Sequence, residues 1–182
     1  QGLLGLMMDY QLTLTPLMQR ANQLFPHKKI RTKFGQTMHE QTYADFYQRC
    51  GKLAHALRTL GVQPGDRVGT LAWNTFRHHE MYFAIPCMGA VVHTLNLRLP
   101  PEQLLYIINH AADKVIIVDD SLLKLLEALA PHLHTVEHVI VMSSGAMPAT
   151  SLPQVLSYED LLAAESPAYD WPDLDENAAA AM

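Results

Sequence analysis

A chain of 182 residues, 49% hydrophobic and 17% charged, is long enough for one well-buried domain or part of a larger one, and a squeeze for two. Thirteen basic residues against eighteen acidic ones leave a formal charge of −5, which argues against binding nucleic acid by neutralising phosphates and against an anionic membrane surface. Cys50 and Cys87 lie far apart in apolar patterns and read as free thiols of a reducing compartment, the cytoplasm, rather than a disulfide framework.

The opening Leu3, Leu4, Leu6, Met7 and Met8 form an apolar arm without a basic flank, so no signal peptide is expected. Thr15-Pro16 then places an N-cap and an N1 proline ahead of a short helix closed by Pro26. Two short strands follow, 28–33 and 36–41, around the turn at Phe34-Gly35. Thr42-Tyr43-Ala44-Asp45 matches a capping box with Asp in place of Glu. The helix it opens carries Phe46, Cys50, Leu53, Leu57 and Leu60 as one apolar stripe, ending at Gly61.

Past the turn at residues 62–66 the pattern changes. β-rich runs start at Val68, Val91, Val115 and Val139, a recurrence of 23 or 24 residues. Helical stretches lie between them at 75–88, 101–110 and 122–129. Strand, helix and parallel strand at that interval predict a βαβ series, a mostly parallel sheet with helices on both faces. The runs 114–118 and 138–142 lack alternation, as strands covered on both faces should. A short helix is predicted at 158–164, then an acidic, proline-punctuated linker carrying Trp171. The chain closes on Ala178-Ala179-Ala180-Ala181-Met182, which reads as the start of a further strand. The organisation expected is an arm at 1–14, an α/β subdomain at 15–164, and linker plus strand at 165–182.

Motifs for chemistry are sparse. His134-Thr135-Val136-Glu137-His138 has the H-x-x-E-H spacing, which gathers zinc ligands only on a helix; following Pro131 and preceding a strand, it reads as a solvated turn. His78-His79-Glu80 falls near a helix start, where adjacent side chains point different ways, so no metal site is expected. Neither a Gly-x-Ser-x-Gly elbow, a Walker phosphate loop nor a Gly-x-Gly-x-x-Gly fingerprint is present. Cys50 sits in the apolar stripe and reads as core rather than nucleophile. No catalytic residue is expected in this chain.

Particular strings carry more. Leu60-Gly61-Val62-Gln63-Pro64-Gly65-Asp66-Arg67-Val68 and the upstream Thr42-Tyr43-Ala44-Asp45 resemble the adenylate-forming superfamily of acyl-CoA synthetases, luciferases and peptide-synthetase adenylation domains. Trp73-Asn74-Thr75 and the stretch from Glu80 to Leu99, with His93-Thr94-Leu95-Asn96-Leu97-Arg98-Leu99 at its end, look most like the medium- and long-chain fatty-acid–CoA ligases. The resemblance runs from about Leu14 to Met182. It implies the N-terminal subdomain of an acyl-CoA synthetase-like fold, with the family's Ser/Thr/Gly-rich phosphate loop, hinge and catalytic lysine beyond Met182.

By the same resemblance the full-length protein joins a fatty acid to coenzyme A through an acyl-adenylate, using ATP and Mg²⁺, and this chain alone is inactive. Arg98 is the one site candidate, on the coenzyme A side, where a guanidinium suits phosphate. A free-standing flavodoxin-like nucleotide module and a structural or dimerisation module are the alternatives. The apolar arm predicts a homodimer with mutually docked arms.

Overall fold

The computed structural model describes residues 3, 5, 6 and 10–182. Helix α1 (Thr15–Leu24) starts where Pro16 presets the backbone, but its N-cap position is Leu14, which offers no side-chain oxygen. The expected cap at Thr15 is therefore one residue late: Leu14 packs against the core and is itself drawn into helical backbone. Strands β1 (Lys29–Phe34) and β2 (Thr37–Thr42) pair antiparallel, one residue later than predicted, around Gly35 at φ +55°. A left-handed backbone of this kind suits glycine.

Helix α2 (Tyr43–Thr59) carries the full capping box. Asp45 N–H donates to the Thr42 hydroxyl at 3.1 Å, and Thr42 N–H donates to the Asp45 carboxylate at 2.9 Å. Its stripe of Phe46, Cys50, Leu53 and Leu57 is buried, each large aliphatic contributing roughly 1.5–3 kcal/mol.

The βαβ series follows: β3 (Arg67–Leu71), α3 (Phe76–Cys87), β4 (Val91–Thr94), α4 (Pro101–Ala111), β5 (Asp113–Asp119), α5 (Leu123–Leu129), β6 (His138–Met142), β7 (Leu156–Ser157) and α6 (Tyr158–Ala163). The five strands form one parallel sheet in the order β4-β3-β5-β6-β7, with Val68 in register with Val92 on one side and Val115 on the other. Taken in chain order this is 2-1-3-4-5, so strand order reverses between β3 and β5.

Alternate residues serve opposite faces. Val68, Val92, Val115, Ile117 and Ile140 pack under α1, α2, α3 and α6, whereas Leu71, Ile116, Val118 and Val141 pack under α4 and α5. Two-sided cover is why these strands read as continuous apolar runs. A buried His93–Asp113 pair (2.8 Å) sits beside Gly69, where a Cβ would come within 2.9 Å of the Asp113 carboxylate.

The acidic segment after α6 is ordered against α2 rather than spanning free space. The Ala168 carbonyl meets His55 at 2.9 Å, Tyr169 OH accepts from Arg58 at 3.0 Å, and Trp171 lies against Tyr47. Farther along, Leu12 N–H donates to Glu176, and Glu176 N–H donates to the Gln11 side chain, both at 2.8 Å. Residues 10–14 of the predicted arm thus find partners in their own chain. Leu3 and Leu6 are fully exposed, and Leu4, Met7 and Met8 lie outside the described residues. The final residues bridge to β4 in parallel: Val92 N–H donates to Ala180, Met182 N–H to Val92, and Thr94 N–H to Met182.

Candidate functional site

A cleft of about 1210 Å³ opens between the β1–β2 hairpin and the carboxyl ends of β3, β5 and β6. Trp73, Asn74 and Thr75 leave β3 on one side of the strand reversal, and Asp119 and Asp120 end β5 on the other. The Trp73 indole N–H donates to Ser121 at 2.9 Å and ties the two loops together. Open parallel sheets bind ligands outside the carboxyl ends of their strands at such a reversal.

Behind the cleft runs a network of ions that no motif announced. Glu80 of α3 is fully buried and accepts from Arg49 Nε at 2.6 Å and from Tyr158 OH at 2.8 Å. Arg49 continues to Glu159 through both terminal nitrogens, at 2.9 and 3.0 Å. Glu159 also accepts from Arg77 Nε at 2.7 Å, and Arg77 donates onward to the Ser143 carbonyl and the Ser144 hydroxyl. Four groups thereby lock α2, α3 and α6 to the loop after β6. Burial pushes the Glu80 carboxyl up against the opposing pull of Arg49 and Tyr158. Burial acts likewise on Glu159, but hydrogen bonds from Arg49 and Arg77 leave it below its ordinary value. The Phe76 ring lies under both guanidiniums, 4.6 Å from Arg77 and 5.5 Å from Arg49, and stacks on His39 at 3.7 Å. With their charges satisfied internally, these groups hold shape; they are not poised to transfer protons.

The residues singled out in the sequence scatter. Arg98 is exposed in the turn after β4, its N–H donating to the Asn96 side chain at 3.0 Å, on the carboxyl edge but outside the cleft lining. His78 is buried and meets the Thr70 hydroxyl at 3.0 Å, while His79 stacks on Phe46. Residues 134–138 form a bend running into β6, so His134, Glu137 and His138 are not gathered by a helix. Cys50 and Cys87 are free and buried; burial raises the Cys50 thiol well above its ordinary value and pushes Cys87 up to about 11. Neither is a nucleophile at neutral pH. Arg49, Arg77 and Glu159 escaped sequence reading because their partners lie in distant elements; only Glu80, an acid inside an apolar helix stretch, gave a signal.

Residues 18–180 match the family model described as AMP-binding enzyme. The chain is 47% identical over 162 residues to a long-chain-fatty-acid–CoA ligase of Thermus thermophilus, covering 88% of this chain and 29% of that protein. It is 36% identical over 184 residues to a medium-chain-fatty-acid–CoA ligase of Ectopseudomonas oleovorans, covering 99% of this chain and 33% of that one. Among solved structures, an anthranilate CoA ligase in complex with anthranoyl-AMP superposes with a TM-score of 0.85 at 21% identity, over 96% of this chain and 32% of that chain. The chain therefore spans about a third of the length of these relatives. The 2-1-3-4-5 order is one that flavodoxin-like sheets share.

Proposed function

The chain belongs to the AMP-binding enzyme family, and from that premise we propose that the full-length protein is an ATP-dependent fatty-acid–CoA ligase of which these residues form the N-terminal scaffold. In the first step a carboxylate oxygen of the fatty acid attacks the α-phosphorus of ATP, giving an acyl-adenylate and releasing pyrophosphate. In the second, the coenzyme A thiolate attacks the acyl carbonyl, the thioester forms and AMP leaves. Preorganised donors that meet the developing charge supply much of the acceleration in such transfers. The observation that carries the reading is the likeness to the Thermus thermophilus ligase across 88% of the chain.

This chain's part is positional. The bridge of residues 180–182 to β4 aims the chain end at the carboxyl edge of the sheet, beside the turn that holds Arg98. Arg98, exposed there, is the residue we assign to the coenzyme A phosphates. Among the described residues no group of three His, Cys, Asp or Glu side chains is placed to hold a metal; the Mg²⁺ that the chemistry implies is assigned to the ATP phosphates, whose charge it would neutralise. No helix among the described residues is long and apolar enough to cross a membrane; we assign the enzyme to fatty-acid metabolism from its likeness to fatty-acid–CoA ligases, and to the cytoplasm from its free, buried thiols Cys50 and Cys87.

A homodimer through the N-terminal arms completes the proposal, supported by Leu3 and Leu6 lying fully exposed. Burying each such side chain is worth roughly 1.5–3 kcal/mol. Light scattering of the full-length enzyme with and without residues 1–8 tests this; an unchanged mass would refute it. The activity itself is tested by incubating the full-length protein with ATP, Mg²⁺, coenzyme A and fatty acids. Acyl-CoA identified by mass spectrometry supports the reading, and its absence with every fatty acid and coenzyme A present overturns it.

A further inference from the structure

One polar pair crosses the sheet inside an apolar wall. His93 of β4 and Asp113 of β5 are 6% and 0% exposed, and Gly69 of β3, in register with His93, lies between them. A Cβ on Gly69 would stand 2.9 Å from the Asp113 carboxylate and 3.4 Å from Ile116, which places the pair on the α4–α5 side with Leu71, Leu95 and Ile116. Only bare backbone there lets the imidazole reach across, and its Nδ1 meets both carboxylate oxygens, at 2.8 and 2.9 Å. Exchanging a buried pair of this kind for apolar side chains often leaves stability unchanged or raises it, and its best-attested use is to specify register.

Strand β4 needs that specification. It is four residues long, and Ala90, Val91 and Val92 at its start are all buried because the sheet is covered on both faces. A slip of one residue turns each side chain to the opposite face, yet along these three positions apolar groups would still meet apolar ones. His93 separates the two registers, since it reaches Asp113 only where it stands over Gly69. The outer edge of the strand carries the consequence. Val92 N–H donates to the Ala180 carbonyl at 3.1 Å, Met182 N–H to Val92 at 3.0 Å, and Thr94 N–H to Met182 at 3.3 Å. These neighbours of His93 hand the register of β4 on to residues 180–182.

We propose that the His93–Asp113 pair is a register key: it fixes β4, and through β4 the path of residues 180–182 along the carboxyl edge of the sheet. His93 is thereby a positioning residue for the reaction of the full-length protein, a consequence that rests on the ligase reading as the register itself does not. A one-residue slip displaces a strand by about 3.3 Å, and misplacement by about 1 Å can cost a reaction about a hundredfold.

Removing one partner would strand the other, so the test combines His93→Phe with Asp113→Leu, which keeps the bulk and leaves no buried charge. In the 182-residue chain this double variant should melt no lower than the parent. The amides of Val92, Thr94 and Met182 should nevertheless exchange with deuterated water at least about tenfold faster, with Ile116 and Ile117 of β5 at the parent's rate. His93→Asn keeps a donor near the place of Nδ1 and should stay close to the parent. Gly69→Ala wedges the pair apart with both groups present, so it should loosen the same three amides, and it decides the matter if the double variant does not fold. In the full-length protein the double variant should lower kcat at least about tenfold at an unchanged melting temperature, and His93→Asn should recover it. A pair that only stabilises would instead leave exchange at the three amides and kcat at parental values once its charges are gone, which overturns the proposal, as does His93→Asn behaving like the double variant. A full-length parent without ligase activity defeats the ligase reading alone, because exchange in this chain is read without it.

Discussion

Replacing Gly51 by alanine is the sharpest perturbation of the scaffold. In the interior of a helix the exchange normally stabilises by roughly 0.5–1 kcal/mol, because glycine loses more backbone freedom on folding. Gly51 sits in α2 where the segment after α6 crosses it, and a Cβ there would overlap the Pro167 carbonyl oxygen and lie 3.1 Å from its carbon. Backbone cannot yield as a flexible side chain does, so the crossing segment must lift, weakening the contacts of His55 with Ala168 and of Arg58 with Tyr169. Overpacking of this kind costs about 1–3 kcal/mol against a propensity gain of about 0.5–1 kcal/mol, and because the overlap is with backbone the cost falls at the upper end, leaving Gly51→Ala less stable by up to about 2.5 kcal/mol. Urea unfolding of the 182-residue chain measures it, with Lys52→Ala as a control on the same helix expected within about 0.5 kcal/mol of the parent. Trp171, packed on Tyr47 and Tyr169, should shift its emission to the red as the segment lifts. A Gly51→Ala chain as stable as the parent, with unchanged Trp171 emission, would refute the reasoning.

Three further outcomes follow from the same structure. Glu80→Ala leaves Arg49 Nε and the Tyr158 hydroxyl without their buried acceptor while Arg49 keeps Glu159, and at about 1–3 kcal/mol for each orphaned group denaturant unfolding should show a loss of about 2–4 kcal/mol; a loss under 1 kcal/mol would mean that the network is slack. Hydrogen bonds from Lys29 and Arg31 hold Glu40 down to about 2 from the usual 4.5. Its contribution is therefore complete above pH 4.5 and fades as pH falls toward 2, so amide exchange across residues 29–42 should quicken in that window, and Glu40→Gln should flatten the response. In the full-length enzyme, Arg98→Ala should raise KM for coenzyme A about tenfold, the loss of one charge-assisted hydrogen bond, while KM for ATP stays put; equal changes in both would remove Arg98 from the coenzyme A side.

Local chemistry made much of the scaffold legible. The Thr42–Asp45 box, the α2 stripe and the valine-rich runs of β5 and β6 follow from short-range rules, and their periods named the layers before any contact was known. Thr15 misled because a cap is decided by where the preceding residue packs, and Leu14 is pulled into the core. The segment 165–177 read as a linker because its composition is acidic and proline-rich; its docking rests on the bare backbone of Gly51, more than a hundred residues away. The cleft was hidden for the same reason. Arg49, Arg77 and Glu159 look like ordinary helix polar residues until the fold brings three helices together around Glu80.

The central claim is that these residues are a scaffold whose chemistry needs the rest of the ligase. Fatty-acid-dependent ATP–pyrophosphate exchange, measured side by side on the full-length protein and on the 182-residue chain, tests it most directly because exchange reports acyl-adenylate formation without requiring coenzyme A. The account predicts robust exchange by the full-length protein and none above background by the 182-residue chain. Exchange by the 182-residue chain alone, or none by the full-length protein with any fatty acid, would contradict it.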